Sequence, residues 1–535
     1  MTDPQPWRSD HPASDGPAVA VPEFLFEHAA RLGDKPALVD GPTGRTLSYR
    51  QLADAVERVA VGLAARGFGK GDVFAIYSPN LPEYAVAMYG AMAAGGVVTG
   101  ASPLLTAGEL AGQLADARAR FLLTVPPFLD KALEAAGRSR VEEVFVLGQA
   151  EGATPFASLL AANGPPPEVG IDPAEDLAAL PYSSGTTGLP KGVELTHANL
   201  VAQARQAQAV MGVAEDDVVV GVAPFFHAIG QNVILPTSLR AGATVVTMPR
   251  FDLAGFLGLV QEHRATFTIV VPPVVLALAG HPMVDDYDLS SLRLLGCGAA
   301  PLGADVEQRC ADRLGCPVIQ GFGMTEGTAA LAITPPDAPR PGSAGRLLPG
   351  TEARIVDPVG GGDLGPGRTG ELWLRGPQVM RGYRNRPEAT AATLAPGGWL
   401  RTGDLCYVDA DGYLFVVDRL KELIKYKGAQ VAPAELEALL CAHPAVADAA
   451  VVPRPDPEAG EVPVAHVAAR SEVDAAELQA WVAERVAPFK RLRGIRFVDQ
   501  VPRSPTGKLL RRVLVEVERA DAERFRAEIE PAGVA

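Results

Sequence analysis

Apolar residues recur at two spacings, one helical and one strand-like, in the first part of the chain. Ser48 and Gln51 form a capping-box pattern, which predicts the start of a helix. Apolar residues then follow at the spacing of one helix face until Gly67 interrupts them: Leu52, Val56, Val59 and Leu63. The next apolar run, Val73–Tyr77, is short and continuous. We therefore expect a helix that leads into a buried strand.

The same alternation continues for another two hundred residues or so on the same reading of periodicity. The expected elements are a helix from about Pro82, a strand near Val97, a helix after Thr106, a strand at Phe121–Val125, a helix from the Thr196 cap through Met211, strands at Val218–Val222, Thr244–Met248 and Thr266–Val271, and a helix at Leu253–His263. Helices that alternate with short apolar strands are typical of layered α/β folds with largely parallel sheets. We expect this fold class for the large N-terminal part.

The pattern changes after Asp357, where glycine-marked turns separate segments that alternate as strands do. A strand at Tyr413–Val417 ends at Asp418-Arg419, and roughly a hundred residues with their own αβ pattern follow, enough for a small domain. We expect a disordered N-terminal arm (1–21), a large domain (22–418) with a β-rich subdomain (about 343–418), and a small α+β C-terminal domain (419–535).

Composition and charge narrow the class of protein. With 47% hydrophobic and 21% charged residues, the chain reads as globular, and a net charge of −15 makes nucleic acid an unfavourable partner. No membrane span is expected, because the apolar run Tyr84–Val98 is broken by glycines. The N-terminus is polar and proline-rich, unlike a signal peptide. The cysteines are scattered, which favours a reduced cytoplasmic compartment over disulfides or zinc: Cys297, Cys310, Cys316, Cys406 and Cys441.

The densest chemical motif is Ser183–Gly192, which reads SSGTTGLPKG. Its glycines, hydroxyls and lysine suit a loop that wraps phosphate oxygens. It is not a Walker A loop, because Gly192 and not Ser or Thr follows Lys191. A flexible surface turn is the alternative, but Pro190 and the strand-like flanks argue against it. A nucleoside triphosphate is the first ligand to consider.

Further candidates follow in chain order. His227 comes just past a strand end, where open α/β sheets bind ligands, although a single histidine is more often structural. Glu326, in QGFGMTEG, offers a hard oxygen that suits Mg²⁺, or else is a surface carboxylate. Lys508 lies on the glycine-containing segment PRSPTGKLLR. From the residues alone, the lysines at 421, 425 and 427 read as a solvated charged face.

Taken together, these motifs resemble the adenylate-forming superfamily of acyl-CoA ligases, luciferases and peptide-synthetase adenylation domains. The resemblance covers almost the whole chain from about residue 22 and is most like 4-coumarate and cinnamate:CoA ligases. The motifs that carry it, in order, are SSGTTGLPKGV, PFFH, QGFGMTEG, GELWLRG, RTGD, VDRLKELIKYKGAQVAPAELEALL and PRSPTGKLLR.

The resemblance implies two half-reactions: a carboxylate attacks the α-phosphorus of ATP, and the thiol of CoA then displaces AMP. It assigns the phosphates to Lys191 and the loop Ser183, Ser184, Gly185, Thr186 and Thr187, and it assigns Mg²⁺ to Glu326 with Thr325 near the α-phosphate. The adenine and acyl-adenylate would be framed by Ala300, Gln320, Gly321 and Phe322, and the ribose would bind Asp404 and Arg419. Asp404 suits that role because a carboxylate can accept from both ribose hydroxyls.

The resemblance also implies that the C-terminal domain moves between the two steps. Lys508 would bridge the carboxylate and the α-phosphate during adenylation and then leave with its domain. Rotation about a hinge at Lys421 would bring Lys425, Lys427, Gly428 and Gln430 to the site for thioester formation, with Arg250 near the nucleotide phosphates of CoA. His227 would form part of the site wall.

The acyl pocket implied by the resemblance departs from the plant enzymes. Ile229 stands where they carry Tyr, Val233 where they carry Ser, and Gly296 where they carry Lys. The other pocket residues are small: Gly298, Ala299, Ala329 and Ala330. Loss of hydrogen-bonding groups indicates tolerance of aryl-propenoic acids rather than strict recognition of a ring hydroxyl. Gly296 and Ala299 are expected to leave room for a ring substituent.

Other functions remain open at this point. The activated acyl group could pass to a carrier-protein thiol, an amine or another small nucleophile instead of CoA. A fatty acid could replace the aryl acid, since few pocket side chains set specificity. A non-catalytic acyl-nucleotide-binding protein is disfavoured by the joint presence of Asp404, Glu326, Lys425 and Lys508. The oligomeric state is open between monomer and homodimer.

Overall fold

The computed structural model describes residues 5–12, 16–183, 190–427, 429–456, 458–504 and 507–529. Four sheets organise this part of the chain, two of nine strands, one of six and one of five. Helices cover the two large sheets and the small C-terminal sheet. The α/β class with layered sheets, a β-rich segment and a small C-terminal unit is therefore confirmed.

The first nine-stranded sheet contains the parallel strands of the N-terminal region. Its path runs through Tyr182–Ser183, Lys191–Thr196, Leu177–Ala179, Val97–Ala101, Val73–Tyr77, Ala119–Thr124, Glu143–Val146 and Thr154–Pro155, and Gly382–Tyr383 joins Lys191–Thr196 at the side. The helices of this region are Val21–Phe26, Ala29–Leu32, Tyr49–Ala64, Pro82–Ala93, Ala107–Ala117, Leu129–Gly137 and Ala157–Leu160, with a short 3₁₀ turn at Pro126–Phe128. The strand Lys191–Thr196 pairs antiparallel with its neighbours.

The second nine-stranded sheet supplies most of the strand ends discussed below. Its order is Arg346–Leu347, Ala330–Ile333, Val318–Gly323, Leu294–Cys297, Phe267–Val270, Val218–Gly221, Thr244–Thr247, Pro36–Asp40 and Thr46–Ser48. The strands from Val318–Gly323 to Pro36–Asp40 are parallel. Its helices are His197–Met211, Leu235–Ala241, Leu253–Glu262, Pro272–Gly280 and Ala304–Leu314, with a π-helix at Gly230–Ile234 and 3₁₀ turns at Pro282–Asp286 and Thr325–Gly327.

The six-stranded sheet forms the β-rich segment. It contains Trp7–Arg8, Glu352–Val356, Gly370–Arg375, Trp399–Val408 and Leu394–Ala395 in that order, with Leu414–Arg419 paired to Trp399–Val408 and the helix Pro387–Thr393 nearby. Trp7 pairs with Ala353 and Arg8 with Glu352. The N-terminal arm was expected to be disordered, and for these two residues that is corrected, because a sheet edge offers them backbone partners.

The C-terminal sheet has its own small core. Its strands are Ala429–Val431, Ile424–Tyr426, Gly460–Ala469, Val446–Asp456 and Gly494–Phe497, and its helices are Pro433–Cys441, Ala475–Ala483 and Arg511–Ile529, with a 3₁₀ turn at Pro488–Lys490. Leu436, Leu440, Val451 and Leu478 are fully buried in its core. This unit has the fold pattern expected for residues after Arg419, since helices pack on one small sheet.

Local signals in the sequence set several helix ends. The side chains and backbones of Ser48 and Gln51 exchange hydrogen bonds in a full capping box, and Thr196 caps the helix that ends at Met211 with Gly212 in the left-handed region. The apolar helix Pro82–Ala93 is buried on nearly every side between the sheets. Among the described helices, none joins the length and the hydropathy that a membrane crossing needs.

Candidate active site

Four adjacent parallel strands end at one edge of the second large sheet. The segments that follow their carboxyl ends contain His227, Val271, Gly298 and Thr325. Ligands in open α/β sheets bind in the crevice at this edge. The sheet order therefore brings together candidates that lie far apart in the sequence.

Lys191 begins the strand that follows the glycine-rich loop. Ser183 pairs with it across the antiparallel strand Tyr182–Ser183. The Lys191 Nζ lies 4.4 Å from the ring centroid of Tyr383, within cation–π range. Four predicted phosphate-binding residues, Ser184, Gly185, Thr186 and Thr187, lie outside the described residues.

Glu326 is a buried carboxylate in the short turn Thr325–Gly327, with 5% exposure. The Tyr383 hydroxyl donates a hydrogen bond of 2.7 Å to its Oε1. Burial and the neighbouring Glu326 carboxylate raise the pKa of Tyr383 well above its usual range, so the hydroxyl remains a donor at neutral pH. Glu326 is thus fixed in place and still carries carboxylate oxygens suited to a hard cation.

Asp404 and Arg419 face each other on neighbouring antiparallel strands. The Arg419 Nε lies 3.0 Å from the Asp404 Oδ1, and Asp404 is 3% exposed. Burial raises the pKa of Asp404 to about 6, against the opposing effects of Arg419 and Lys508. A buried carboxylate paired with a guanidinium fits the predicted ribose contact, because it can accept from two hydroxyls.

Lys508 comes from the C-terminal domain and lies near charged groups of its own domain and of the large domain. Burial lowers the pKa of Lys508, and the Arg419 guanidinium adds to that effect. Carboxylates that act in the opposite direction on its pKa are Glu422, Asp404 and Glu326. The structure therefore brings the predicted adenylation lysine together with the predicted ribose and metal carboxylates.

The segment that carries Lys508 is a tight turn with its own support. The Arg503 guanidinium donates to both Asp448 carboxylate oxygens at 2.8 Å and to the Gly507 carbonyl at 2.9 Å. The Ser504 and Lys508 backbones are joined by a hydrogen bond of 2.8 Å. Gly507 has φ of +75°, and a Cβ added there would lie 3.0 Å from the Val271 Cβ. The turn is thus seated against the large domain.

His227 follows the strand Val218–Gly221 and is half-buried. Burial, together with the positive charge of Lys508, lowers the pKa of His227 to about 4. The imidazole is therefore neutral at neutral pH. It lies close enough to Lys508 for the lysine charge to act on its pKa, and it adds no second positive charge there.

The segment after His227 winds as a π-helix, Gly230–Ile234. Ile229 precedes it, and a Cβ added to Gly298 would lie 3.5 Å from the Ile229 Cδ1, an ordinary contact. Val233 is 3% exposed and packs in the main core. Ile229 and Gly298 thus face each other across the predicted acyl pocket, whereas Val233 is built into the core behind it.

The other predicted pocket residues differ in how much space they leave. A Cβ added to Gly296 would lie 3.1 Å from the Ile269 Cγ1, so Ile269 fills the space expected to be open beside that glycine. Ala299 is exposed and has φ of +72°, a strained backbone for alanine. Ala329 is 5% exposed and Ala330 is half-buried.

The predicted adenine-framing segment lies on the strand Val318–Gly323. The Gln320 side chain is engaged inside the fold, where its Nε2 donates to the Leu302 carbonyl at 3.1 Å and to Glu307 at 2.6 Å. The Gln320 side-chain amide is therefore already engaged by the protein, and its backbone carbonyl accepts from the Thr334 N–H at 2.9 Å. Gly321 and Phe322 pair with the strand Ala330–Ile333, Thr325 begins the following turn, and Ala300 is half-buried after the preceding strand.

The predicted hinge and CoA residues stand apart from this cluster. Their side chains are exposed: Lys421, Lys425, Lys427, Gln430 and Arg250. Lys425 pairs with Gln430 in the C-terminal sheet, and Lys427 has φ of +47°. Gly428 lies outside the described residues. Lys508 thus lies in the cluster while the described hinge and CoA residues are exposed.

Two residues of the site were not found from the sequence. Tyr383 contacts both Lys191 and Glu326, and Ile269 closes the space beside Gly296. The only sequence signal for Tyr383 is a glycine before it in a polar segment, which reads as a turn. Ile269 reads as an ordinary strand residue. Both become visible once strand pairing is known.

Comparisons with known proteins identify the family. The model of the AMP-binding enzyme family matches residues 25–384, and that of the AMP-binding enzyme C-terminal domain matches residues 435–508. A 4-coumarate–CoA ligase of Oryza sativa subsp. japonica is 45% identical over 519 residues, covering 93% of this chain and 95% of that protein. One from Pinus taeda is 42% identical over 504 residues, covering 92% and 93%.

A solved structure is also similar. The anthranilate CoA ligase AuaEII, crystallised with anthranoyl-AMP, aligns with a TM-score of 0.89 and 28% identity, over 96% of this chain and 100% of that one. The family models lie on the two regions that contribute Glu326 and Lys508 to the site. The chain belongs to the AMP-binding enzyme family.

Proposed function

We propose that this chain activates a carboxylic acid with ATP, through an acyl-adenylate, and transfers the acyl group to CoA. The observation that carries the proposal is the position of Lys508, a residue of the C-terminal domain. The preceding Gly507 packs against Val271 of the large domain, and the Lys508 charge acts on the pKa values of Asp404 and His227. A lysine at that point can serve the first half-reaction and leave with its domain before the second.

The first step joins two anions, so charge neutralisation and positioning dominate it. A carboxylate oxygen attacks the α-phosphorus, the new O–P bond forms, and the bond from the α-phosphorus to the bridging oxygen of pyrophosphate breaks. Lys508 would hold the carboxylate and the α-phosphate together. Lys191 would hold the departing pyrophosphate, and Asp404 would accept from the ribose hydroxyls beside Arg419.

Glu326 fits a role in holding Mg²⁺. Mg²⁺ in nucleotide sites is usually bound by one or two carboxylates together with substrate phosphates. Among the residues that the structure describes, no group of three or more metal-ligating side chains occurs, so substrate oxygens and water would have to complete the coordination. When bound, the ion would neutralise charge on the phosphate oxygens. Glu326 would hold it from a carboxylate that Tyr383 keeps in place.

The second step makes the thioester. The CoA sulfur attacks the acyl carbonyl carbon, the C–S bond forms, the C–O bond to the AMP phosphate breaks, and the thiol proton goes to solvent. We propose that rotation about Lys421 withdraws Lys508 and brings the exposed Lys425, Lys427 and Gln430, together with Gly428, to the site, with Arg250 toward the nucleotide end of CoA. The relatives named as CoA ligases support CoA as the acceptor.

We propose an aryl-propenoic acid, of the cinnamate or 4-coumarate type, as the substrate class. The side chains of Ile229 and Ala330 are apolar, and Gly298, which faces Ile229, has no side chain of its own. An apolar slot favours a flat aromatic ring through burial of its surface. The relatives named as 4-coumarate–CoA ligases support the same class.

A panel of acids tests this proposal. Cinnamate, 4-coumarate, benzoate and a medium-chain fatty acid would each be incubated with ATP and Mg²⁺, and pyrophosphate release and CoA-dependent thioester would be measured separately. We expect both products with the aryl-propenoic acids. Pyrophosphate without thioester would exclude CoA as the acceptor and favour an amine or a carrier-protein thiol. A clear preference for the fatty acid would contradict the substrate class.

A further inference from the structure

Tyr383 lies between the two groups assigned to phosphate and metal. Its ring faces the Lys191 ammonium at 4.4 Å, and its hydroxyl donates to Glu326 Oε1 at 2.7 Å. The residue is 7% exposed. One buried side chain therefore contacts both a cation and an anion of the site.

Backbone pairing fixes this position from both sides. Tyr383 pairs with Val193 on the strand that begins at Lys191, and the Arg384 N–H donates to the Gly192 carbonyl at 2.8 Å. Three residues before Tyr383, the Met380 N–H donates to the Glu326 carbonyl at 2.9 Å. The segment 380–384 thus bonds to the strand of Lys191 and to the turn of Glu326. The contacts of Tyr383 continue a bridge that the backbone already makes.

The two contacts of Tyr383 have different physical requirements. The ammonium needs only the face of an aromatic ring, whereas the carboxylate needs the hydroxyl. A buried carboxylate that loses its donor must find another partner or change position. The ring and the hydroxyl can therefore be removed separately, with different consequences for the two groups.

We propose that Tyr383 is a positioning residue that holds Glu326 at a set place relative to Lys191, so that the site binds the magnesium complex of ATP better than metal-free ATP. This inference rests on the proposed function only in taking ATP and Mg²⁺ as ligands. It requires neither a particular acid nor a particular acyl acceptor.

Calorimetric titration of ATP, with and without Mg²⁺, tests the proposal on the full-length protein. In Tyr383→Phe the ring remains under Lys191, so metal-free ATP should bind within about twofold of the wild type. The gain in affinity on adding Mg²⁺ should fall about tenfold, as expected when a charged hydrogen bond is lost. Tyr383→Leu should weaken metal-free ATP binding as well, because the ring is gone.

A matched control is available in Tyr413, another buried tyrosine. Its hydroxyl donates to the Ala338 carbonyl at 2.8 Å, and the Arg346 guanidinium lies 4.6 Å from its ring centroid. Tyr413→Phe should leave both ATP affinities unchanged. In a Glu326→Gln background, adding Tyr383→Phe should have little further effect on the Mg²⁺ gain, because the hydroxyl acts through the carboxylate.

Other results would overturn the proposal. An unchanged Mg²⁺ gain in Tyr383→Phe, or an equal loss of metal-free and Mg²⁺-dependent binding in that variant, would reduce Tyr383 to a packing residue. Additive effects of Tyr383→Phe and Glu326→Gln would separate the hydroxyl from the carboxylate. Failure of the acid panel would leave these binding results standing, so the two proposals can fail independently.

Discussion

Gly507 packs against Val271, and this contact joins the Lys508 turn to a strand end of the large domain. A Cβ added to Gly507 would lie 3.0 Å from both the Cβ and the Cγ2 of Val271. Gly507 also has φ of +75°, in the left-handed region that side chains other than glycine's disfavour. The position of Lys508, the proposed adenylation lysine, therefore depends on the absence of a side chain one residue earlier.

Gly507→Ala should impair adenylation selectively. Alanine in the left-handed region costs about 1–2 kcal/mol, and its Cβ would press on Val271 only while the C-terminal domain is seated as described. We expect pyrophosphate release to fall about 5- to 30-fold. Thioester formation from supplied acyl-adenylate should change much less. Both half-reactions would be measured under single-turnover conditions.

Two further variants separate contact from backbone strain. Val271→Ala removes both Cγ atoms of Val271 and keeps its Cβ, so it relieves two of the three contacts that the new Cβ would make and should partly restore adenylation to Gly507→Ala. Gly412→Ala has similar strain, with φ of +82°, but nothing lies within 4 Å of its Cβ, and adenylation should be nearly unchanged. No rescue by Val271→Ala would argue against the described seating of the turn.

The raised pKa of Asp404 predicts how nucleoside binding depends on pH. Burial raises the pKa of Asp404 to about 6, so before a ligand binds, its carboxyl group is largely protonated at pH 5 and ionised at pH 7. Ribose hydroxyls donate best to the ionised form. Affinity should therefore fall as pH drops through about 6, by up to about tenfold per pH unit.

Adenosine is the ligand with which to measure this pH dependence. It has the ribose hydroxyls but no phosphate, whose own ionisation near pH 6 would overlap. Asp404→Asn cannot ionise, so its weaker adenosine binding should show no such dependence between pH 5 and 7. His227, with its pKa lowered to about 4, does not titrate in that range. A flat profile for the wild type would contradict the ribose assignment.

Ile229 and Gly298 predict opposite changes in acid preference. Ile229→Ala should widen the pocket and improve the relative kcat/KM for aryl-propenoic acids with bulkier ring substituents. Gly298→Ala adds a Cβ 3.5 Å from Ile229, a distance that the fold accommodates, and should narrow the pocket. Changes of about tenfold are reasonable for one or two carbon atoms. The KM for ATP should stay constant in both variants. If the two variants showed the same acid preference, the assignment of Ile229 and Gly298 to the acyl pocket would be wrong.

Several features of the fold could be predicted from the sequence because each depends on residues that are neighbours in the chain. They are the helix caps at Ser48 and Thr196, the alternation of helices and strands, and the change of pattern after Asp357. The motifs also indicated the family and predicted the charged residues of the candidate site. Contacts between distant segments were not readable. Tyr383 meets Glu326 from 57 residues away, and no local pattern records that pairing.

Space inside the fold was the other feature that the sequence did not provide. Gly296 indicated room for a ring substituent, but Ile269 on the adjacent parallel strand occupies that side. The two-residue strand Trp7–Arg8 is too short to be predicted from its own sequence, and its sheet partners, Glu352 and Ala353, lie far away in the sequence. Volume and edge pairing depend on which strands are neighbours, which a single sequence does not specify.

Lys427 provides a test of the second half-reaction. It is exposed while Lys508 is in the site, so Lys427→Ala should leave pyrophosphate release within about twofold of the wild type. The rate of thioester formation from supplied acyl-adenylate should fall about tenfold, which is the effect expected from the loss of one charged contact. Lys131→Ala, at an exposed helix position of the large domain, is the control and should affect neither step. Loss of adenylation in Lys427→Ala would contradict the assignment of Lys427 to thioester formation.

Lys508→Ala, assayed in each half-reaction separately, tests the proposed division of labour most directly. Pyrophosphate release should fall about 100- to 1,000-fold, because the charge that joins carboxylate and α-phosphate is lost. Thioester formation from supplied acyl-adenylate and CoA should stay within about threefold of the wild type, since Lys508 would then lie away from the site. An equal loss in both half-reactions would contradict the assignment of Lys508 to adenylation alone.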